Sequence, residues 1–150
     1  MVMIEPYSAQ YWEEIQAAHD EARMQELSLA GLEEAFLPLA VAAKREDLFA
    51  YQIYVALEEG KAAGFVAFTE DELAWLYVHP QFQKQGIGRA LATFALEKME
   101  PGPKAVEVLV GNEPARKLYR SLGFTEEELL HGHMPGNEDY EVSVWLMHMA

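Results

Sequence analysis

The segment Val78-His79-Pro80-Gln81-Phe82-Gln83-Lys84-Gln85-Gly86-Ile87-Gly88-Arg89-Ala90 decides how the chain is read. Before it lies Leu73-Ala-Trp-Leu-Tyr-Val78, an apolar run of the kind found in a central strand covered on both faces. After it, Ile87, Leu91, Phe94 and Ala95 recur at helical spacing up to about Met99. A strand therefore ends at Val78 and a helix starts near Gly86, so the backbone N–H groups between them converge. The first-turn amides of a helix have no partner within it, and the helix dipole adds about half a positive charge there. Gly86 and Gly88 carry no side chain to keep a phosphate at a distance, and Lys84 and Arg89 add mobile positive charge. A Gly-x-Gly at a helix start is common, so an ordinary helix start stays open beside an anion site. The spacing is neither a P-loop nor a complete dinucleotide fingerprint.

Upstream of this segment, Tyr51, Ile53, Val55 and Leu57 alternate with Gln52, Tyr54, Ala56 and Glu58, which predicts a strand. Glu58-Glu-Gly-Lys61 is a hairpin turn into a strand over Ala63–Thr69, and Glu70–Glu72 is a second turn into Leu73–Val78. Three strands thus form a meander. Nearer the N-terminus, residues 2–4 suit a short strand, and Ser8 is placed to cap a helix with Tyr11, Trp12, Ile15 and Ala18. A second helical stretch, Leu32 to Ala43, contains Pro38 and is expected to kink or divide there. Downstream, Pro101-Gly-Pro103 stops the helix and Ala105–Val110 reads as a strand. Asn112 caps a helix running to about Leu122, and Gly123 is placed to end it in a left-handed turn. Phe124 resumes an extended segment, and the last strand is expected over Tyr140–Met147. The order predicts an α/β fold, a mixed, mostly antiparallel sheet with helices on both faces, in one domain over residues 1–150.

Composition and charge bound what such a domain can do. The chain has 150 residues, 51% of them apolar, enough for a sizeable core. Its 25 acids against 11 Lys and Arg make a formal charge of −14, which disfavours nucleic acid as a partner. No cysteine is present, which suits a reducing cytoplasm and excludes a thiol nucleophile. Neither a leader-like N-terminus nor a run of about 18 apolar residues appears, so neither secretion nor membrane insertion is expected. The charge is also uneven. Seven of the 11 basic residues fall between Lys84 and Arg120, whereas Glu5–Glu34 holds eight acids against Arg23 alone, and Glu126–Glu141 holds six acids and no base. These runs read either as ordinary solvated faces or as an anion site flanked by cation-attracting ends.

A second element resolves the first. Val78, Pro80, Gln83, Gly86 and Gly88 stand at the spacing of Arg/Gln-x-x-Gly-x-Gly/Ala after a Val-x-Pro-like strand end. Downstream, Asn112-Glu-Pro-Ala115-Arg-Lys-Leu118-Tyr119-Arg-Ser-Leu-Gly123-Phe124 follows Asn-x-x-Ala-x-x-Leu-Tyr-x-x-x-Gly-Phe. Together they closely resemble the GNAT superfamily of acetyl-coenzyme-A-dependent N-acetyltransferases, over about residues 50–125, with Lys84 where many relatives have glycine. The resemblance implies a sheet of six to seven strands flanked by about four helices. It implies that the amides of Gln83, Lys84, Gln85, Gly86, Ile87, Gly88 and Arg89 hold the coenzyme A pyrophosphate. The pantetheine arm would pair with the free backbone of Leu76, Tyr77 and Val78, Asn112 would contact that arm, and Tyr119 would lie near the sulfur.

The implied chemistry needs no protein nucleophile and no metal, because a thioester is already activated. A primary amine is almost entirely protonated at neutral pH, so a base must take its proton, directly or through water. By the resemblance Tyr119 is the proton donor to sulfur, with a packing role as its alternative. Glu72 is the leading base, with a turn carboxylate as its alternative; Tyr77 and His79 are further candidates. His131-Gly-His133 lacks a third ligand at suitable spacing and reads as a polar loop. Trp75 and Tyr77 read as core or cleft wall. The family's acceptor pocket is shaped by the first two helices and the loop between the last two strands, here the two acidic ends. A cationic acceptor is therefore expected: a small amine, or a protein or peptide amino group. The competing functions are a non-catalytic acyl-coenzyme-A-binding module and a nucleotide-binding domain, and the apolar tail Val142–Met149 makes a homodimer a further expectation.

Overall fold

The computed structural model describes residues 2–150. Strand β1 (Met3–Pro6) is followed by helices α1 (Trp12–Ala30) and α2 (Leu39–Arg45), then by the meander β2 (Gln52–Glu58), β3 (Lys61–Phe68) and β4 (Glu72–Val78). Helix α3 (Ile87–Lys98), β5 (Lys104–Leu109), α4 (Glu113–Ser121), β6 (Glu126–Met134) and β7 (Asn137–Met149) complete the chain. The strands form one seven-stranded sheet ordered β1-β2-β3-β4-β5-β7-β6, and only the β4–β5 pair is parallel. No helix among the described residues is long and apolar enough to cross a membrane.

Local chemistry accounts for most boundaries. Glu59 and Gly60, at φ 52° and 80°, make the two-residue turn between β2 and β3, whose left-handed pair matches the strand twist. Pro38 divides the second helical stretch: a 3-10 turn covers Glu33–Ala35, and α2 starts at the residue after the proline. Asn112 caps α4 by accepting the Ala115 N–H at 3.3 Å. Ser8 caps through its backbone only; its carbonyl accepts from Tyr11 and opens a 3-10 turn ahead of α1.

Two expectations are corrected at the C-terminal end. The last strand begins at Asn137 rather than Tyr140, and His131-Gly-His133 lies inside β6 rather than in a loop. A residue pairing along nine positions holds this polar stretch extended against β7, with His131 opposite Ser143 and His133 opposite Glu141. Strand pairing overrides the weak apolar pattern there.

The sheet is covered on both faces, so β3 is buried from Ala62 to Phe68. On one face Phe68, Leu73 and Val78 pack with Ile87 and Leu91 of α3 and with Phe124 and Met147. On the other, Val55, Phe65 and Trp75 pack with Ile15 of α1 and Leu39 of α2. Each such large side chain, taken from water, contributes about 1.5–3 kcal/mol. Together they clamp β4 between two helix layers, and β4 is the strand on which the site is built.

Candidate active site

The functional geometry begins with a defect in the sheet. β4 and β5 pair only at Glu72–Ala105 and Leu73–Val106, and beyond those rungs the two strands splay apart. A register shift between β3 and β4 leaves Ala74 unpaired at the point of separation. On its other side β4 stays paired: the His79 N–H donates to the Ala63 carbonyl at 2.8 Å, and a Cβ on Gly64 would lie 2.6 Å from the Tyr77 carbonyl oxygen. Strand alternation then turns the N–H and C=O groups of Leu76 and Val78 into the gap. Apart from the Val78 carbonyl, which accepts from Gln83 Nε2, that strand edge is open to a ligand.

A cleft of about 520 Å³ occupies this gap. Leu76, Tyr77, Val78, Gln83, Lys84, Gly86, Ile87, Gly88, Arg89, Asn112 and Tyr119, all singled out from the sequence, line it. Gln85 is exposed and outside the lining. Gly86 caps α3 at φ 84° with no side-chain cap, and the first helical bond runs from Ala90 N–H to the Gly86 carbonyl. The N–H groups of Ile87, Gly88 and Arg89 therefore stay free at the cleft wall. Lys84 takes the left-handed conformation, φ 64°, so it occupies a glycine-type position without closing the turn. Gln83 braces the loop: its Nε2 donates to the Val78 carbonyl and to Gln25 Oε1, both at 3.0 Å.

The basic character of this half of the molecule is partly spent on the protein itself. Arg116 and Arg120 both hold Glu127, at 2.8 and 2.7 Å, and Arg116 stacks on Trp145. Arg89 donates to Ser121 Oγ at 2.8 Å. Lys84 at the cleft wall makes no ion pair among the described residues, and the backbone amides of the α3 start lie beside Lys84 and Arg89 there.

A second, smaller cavity of about 160 Å³ opens on the opposite side of β4, between α1, α2 and the β6–β7 hairpin. Glu26, Ala74, Tyr77 and Glu107 line both cavities and form their common wall. Glu26 accepts from Arg23 Nη1 at 2.6 Å, Tyr77 Oη at 3.1 Å and Asn112 Nδ2 at 3.0 Å. Glu107, one residue past the last β4–β5 rung, is exposed and belongs to no ion pair among the described residues. Glu46 faces the small cavity, and burial, reinforced by Glu138 and opposed by Arg23, pushes its carboxyl up to about 7. His19, buried on the same wall, is held below the usual histidine range by desolvation.

The titrating groups named from the sequence separate accordingly. Tyr119 lines the large cleft, and desolvation, aided by Glu26, raises its hydroxyl well above the usual phenol range, so it stays protonated and able to donate. Burial raises the Tyr77 hydroxyl likewise, which makes it a poor base. His79 is engaged by the Gln81 N–H and by Glu21. Glu72, expected as the base, lines neither cavity: it sits two residues short of the splay, where β4 is still paired. Glu107 and Glu26 escaped the sequence reading. A lone acid inside the apolar run Ala105–Val110 was the available signal for Glu107; nothing local marks Glu26. His131 and His133 bind Ser143 and the Glu138 carbonyl, and no metal-ligand cluster exists among the described residues.

The splayed parallel pair thus faces an uncapped helix start, with a protonated tyrosine lining the large cleft and Glu26 and Glu107 on the wall shared with the small cavity. Residues 50–126 match the model of the acetyltransferase (GNAT) domain. The chain belongs to the GNAT acetyltransferase family. It is 34% identical over 99 residues to the [ribosomal protein bS18]-alanine N-acetyltransferase of Escherichia coli K12, covering 59% of this chain and 67% of the relative. A GCN5-related N-acetyltransferase of Rhodopseudomonas palustris shares the fold, with TM-score 0.80, 19% identity and coverage of 99% and 94% of the two chains. So does yncA, a putative acetyltransferase of Salmonella typhimurium solved with acetyl-CoA, with TM-score 0.65, 18% identity and coverage of 99% and 93%. The protein is an N-acetyltransferase whose cosubstrate is acetyl-CoA, and it acts on an amine.

Proposed function

We propose that the acceptor is a cationic amino group at the end of a peptide or protein, and that Glu107 is its base. The carrying observation is the common wall: the carboxylates that border both cavities are Glu26 and Glu107, and Glu26 is committed to three donors. Glu107 has no such commitment, and the acceptor cavity that it borders also carries Glu46. A volume of 160 Å³, room for about five waters, admits an amino end and a short side chain rather than a long polyamine. The relative that acts on a ribosomal protein alanine agrees with that reading.

In this assignment the cradle Gln83–Arg89 and the free edge of Leu76 and Val78 hold the cosubstrate, which supplies an activated acetyl thioester. Glu107 takes a proton from the ammonium of the acceptor, leaving a neutral amine beside Ala74. As the N–C bond forms and the C–S bond breaks, the Val78 N–H stabilises the charge developing on the acetyl oxygen and Tyr119 gives its proton to the departing sulfur; the second amine proton, shed as the amide forms, returns through water to the Tyr119 oxygen, and Glu107 releases its proton to solvent. The products are the acetylated amine and the free thiol. Thiol release from acetyl-CoA is to be followed with peptides bearing free or blocked α-amines and with acidic peptides. Free α-amino peptides are expected to turn over. Glu107→Gln and Tyr119→Phe are each expected to lower kcat about 10²-fold or more, and Glu72→Gln by less than about threefold. A larger loss in Glu72→Gln than in Glu107→Gln would return the base to Glu72.

A further inference from the structure

Glu26 does something that neither the base nor the acid can do. Past the Leu73–Val106 rung no backbone bond joins β4 to β5, so nothing in the sheet itself sets how far the strands stand apart. The Glu26 side chain, projecting from α1, crosses that gap. Its Oε1 holds the Tyr77 hydroxyl of β4 and Arg23 Nη1, and its Oε2 holds Asn112 Nδ2 on the far side, at 3.0 Å. Asn112 in turn is fixed by its other atom, since Oδ1 caps the Ala115 N–H of α4. Tyr119 stands seven residues on, two turns along the same helix and so on the same side as the capped end. With a side chain 18% exposed, Glu26 is well shielded from water, so its hydrogen bonds carry more weight than surface ones.

We propose that Glu26 is a positioning residue that sets the width of the donor cleft, holding the free edge of β4 and the N-terminal end of α4, the helix that carries Tyr119, at one fixed separation. This rests on the larger cleft being the coenzyme A site, and it adds that the acceptor-side group Tyr77 and the donor-side group Asn112 are tied through one carboxylate.

The hydrogen-bond pattern makes a rescue experiment possible. In Glu26→Gln the amide oxygen can still accept from Arg23 and Tyr77, but its N–H₂ then meets the Asn112 N–H₂, donor against donor. Asn112 cannot flip to relieve this without giving up its cap on Ala115. In Asn112→Asp two carboxylates oppose each other. In the double variant the new amide donates to the new carboxylate, whose second oxygen keeps the cap.

Coenzyme A is to be titrated calorimetrically into the parent protein, the two single variants and the double variant, with melting temperatures taken alongside and kcat measured on a reactive peptide. Each single variant is expected to weaken coenzyme A binding about five- to twentyfold and to lower kcat, and the double variant to recover to within about threefold of the parent in both. Tyr77→Phe removes one of the three bonds and leaves the carboxylate, so it is expected to weaken binding less than either single variant. Unchanged binding in Glu26→Gln, or a double variant no better than the weaker single one, overturns the proposal. Failure of the parent to bind coenzyme A would instead overturn the site assignment beneath it.

Discussion

Replacing Glu46 by glutamine is expected to stabilise the protein, and to do so more strongly as the pH rises. The Glu46 carboxyl, half-buried beside the small cavity, stands at about 7 instead of its ordinary 4.5, because burial disfavours the charge and Glu138 adds to that, while Arg23 only partly compensates. A carboxyl raised on folding contributes nothing unfavourable below its unfolded value; folding stability then falls as the pH climbs from about 4.5 through 7. That rise from 4.5 to about 7 corresponds to about 3 kcal/mol once both states are ionised, and to about 1 kcal/mol at pH 5.5, where the folded carboxyl is still mostly protonated. Contact with water trims both figures. Glutamine keeps the shape without the charge, so Glu46→Gln is expected to gain about 2–3 kcal/mol at pH 8.5 and about 1 kcal/mol at pH 5.5, read from urea unfolding at the two pH values. A gain that does not shrink on acidification, or a loss at pH 8.5, would refute the reasoning. The same variant tests why a destabilising charge is kept: its KM for a cationic peptide is expected to rise while coenzyme A binding is unchanged.

Two further outcomes follow from the glycines. At Gly88 a Cβ would make only ordinary contacts, 3.8 Å from Val78 and 4.0 Å from Leu118, so Gly88→Ala is expected to leave the melting temperature within a few degrees. Its methyl enters the cleft wall, however, and calorimetry is expected to show coenzyme A binding weakened about tenfold or more. At Gly64 the same methyl would meet the Tyr77 carbonyl oxygen at 2.6 Å, with backbone on both sides, so Gly64→Ala is expected to cost about 2 kcal/mol or more in chemical denaturation. Equal stability of the two variants would contradict the tight β3–β4 approach that turns Leu76 and Val78 toward the cleft.

Much of this architecture was written in short-range signals. Alternation marked β2, helical spacing marked α3, Pro38 divided the second helical stretch, and Asn112 and Gly123 bounded α4. Each is a local preference, and in each the tertiary packing agrees with it. The extended β6–β7 hairpin was less legible, because its polar residues carry little pattern and its length comes from pairing with a partner strand. The loop and helix start Gln83–Arg89 were legible for a related reason: they are contiguous backbone, so their residues sit together in the chain.

The acceptor side is different in kind. Glu26, Glu46 and Glu107 come from α1, the end of α2 and β5, and no spacing rule links them; only the splay of β4 and β5 and the packing of α1 across it make them neighbours. Glu72 had a plausible place in the sequence, but the register keeps its strand paired where it sits and it lines neither cavity. Likewise the clustering of basic residues at the centre was plain in the sequence, yet two of those arginines are held by Glu127, across the turn from α4 into β6. The element order and the glycine-bearing helix start at Gly86–Gly88 were legible along the chain, because both depend on neighbouring residues. Which carboxylates border both cavities, and which one hydrogen-bonds across the gap, followed only from the tertiary structure, because a strand edge left unpaired in the middle of a sheet is a property of several elements at once.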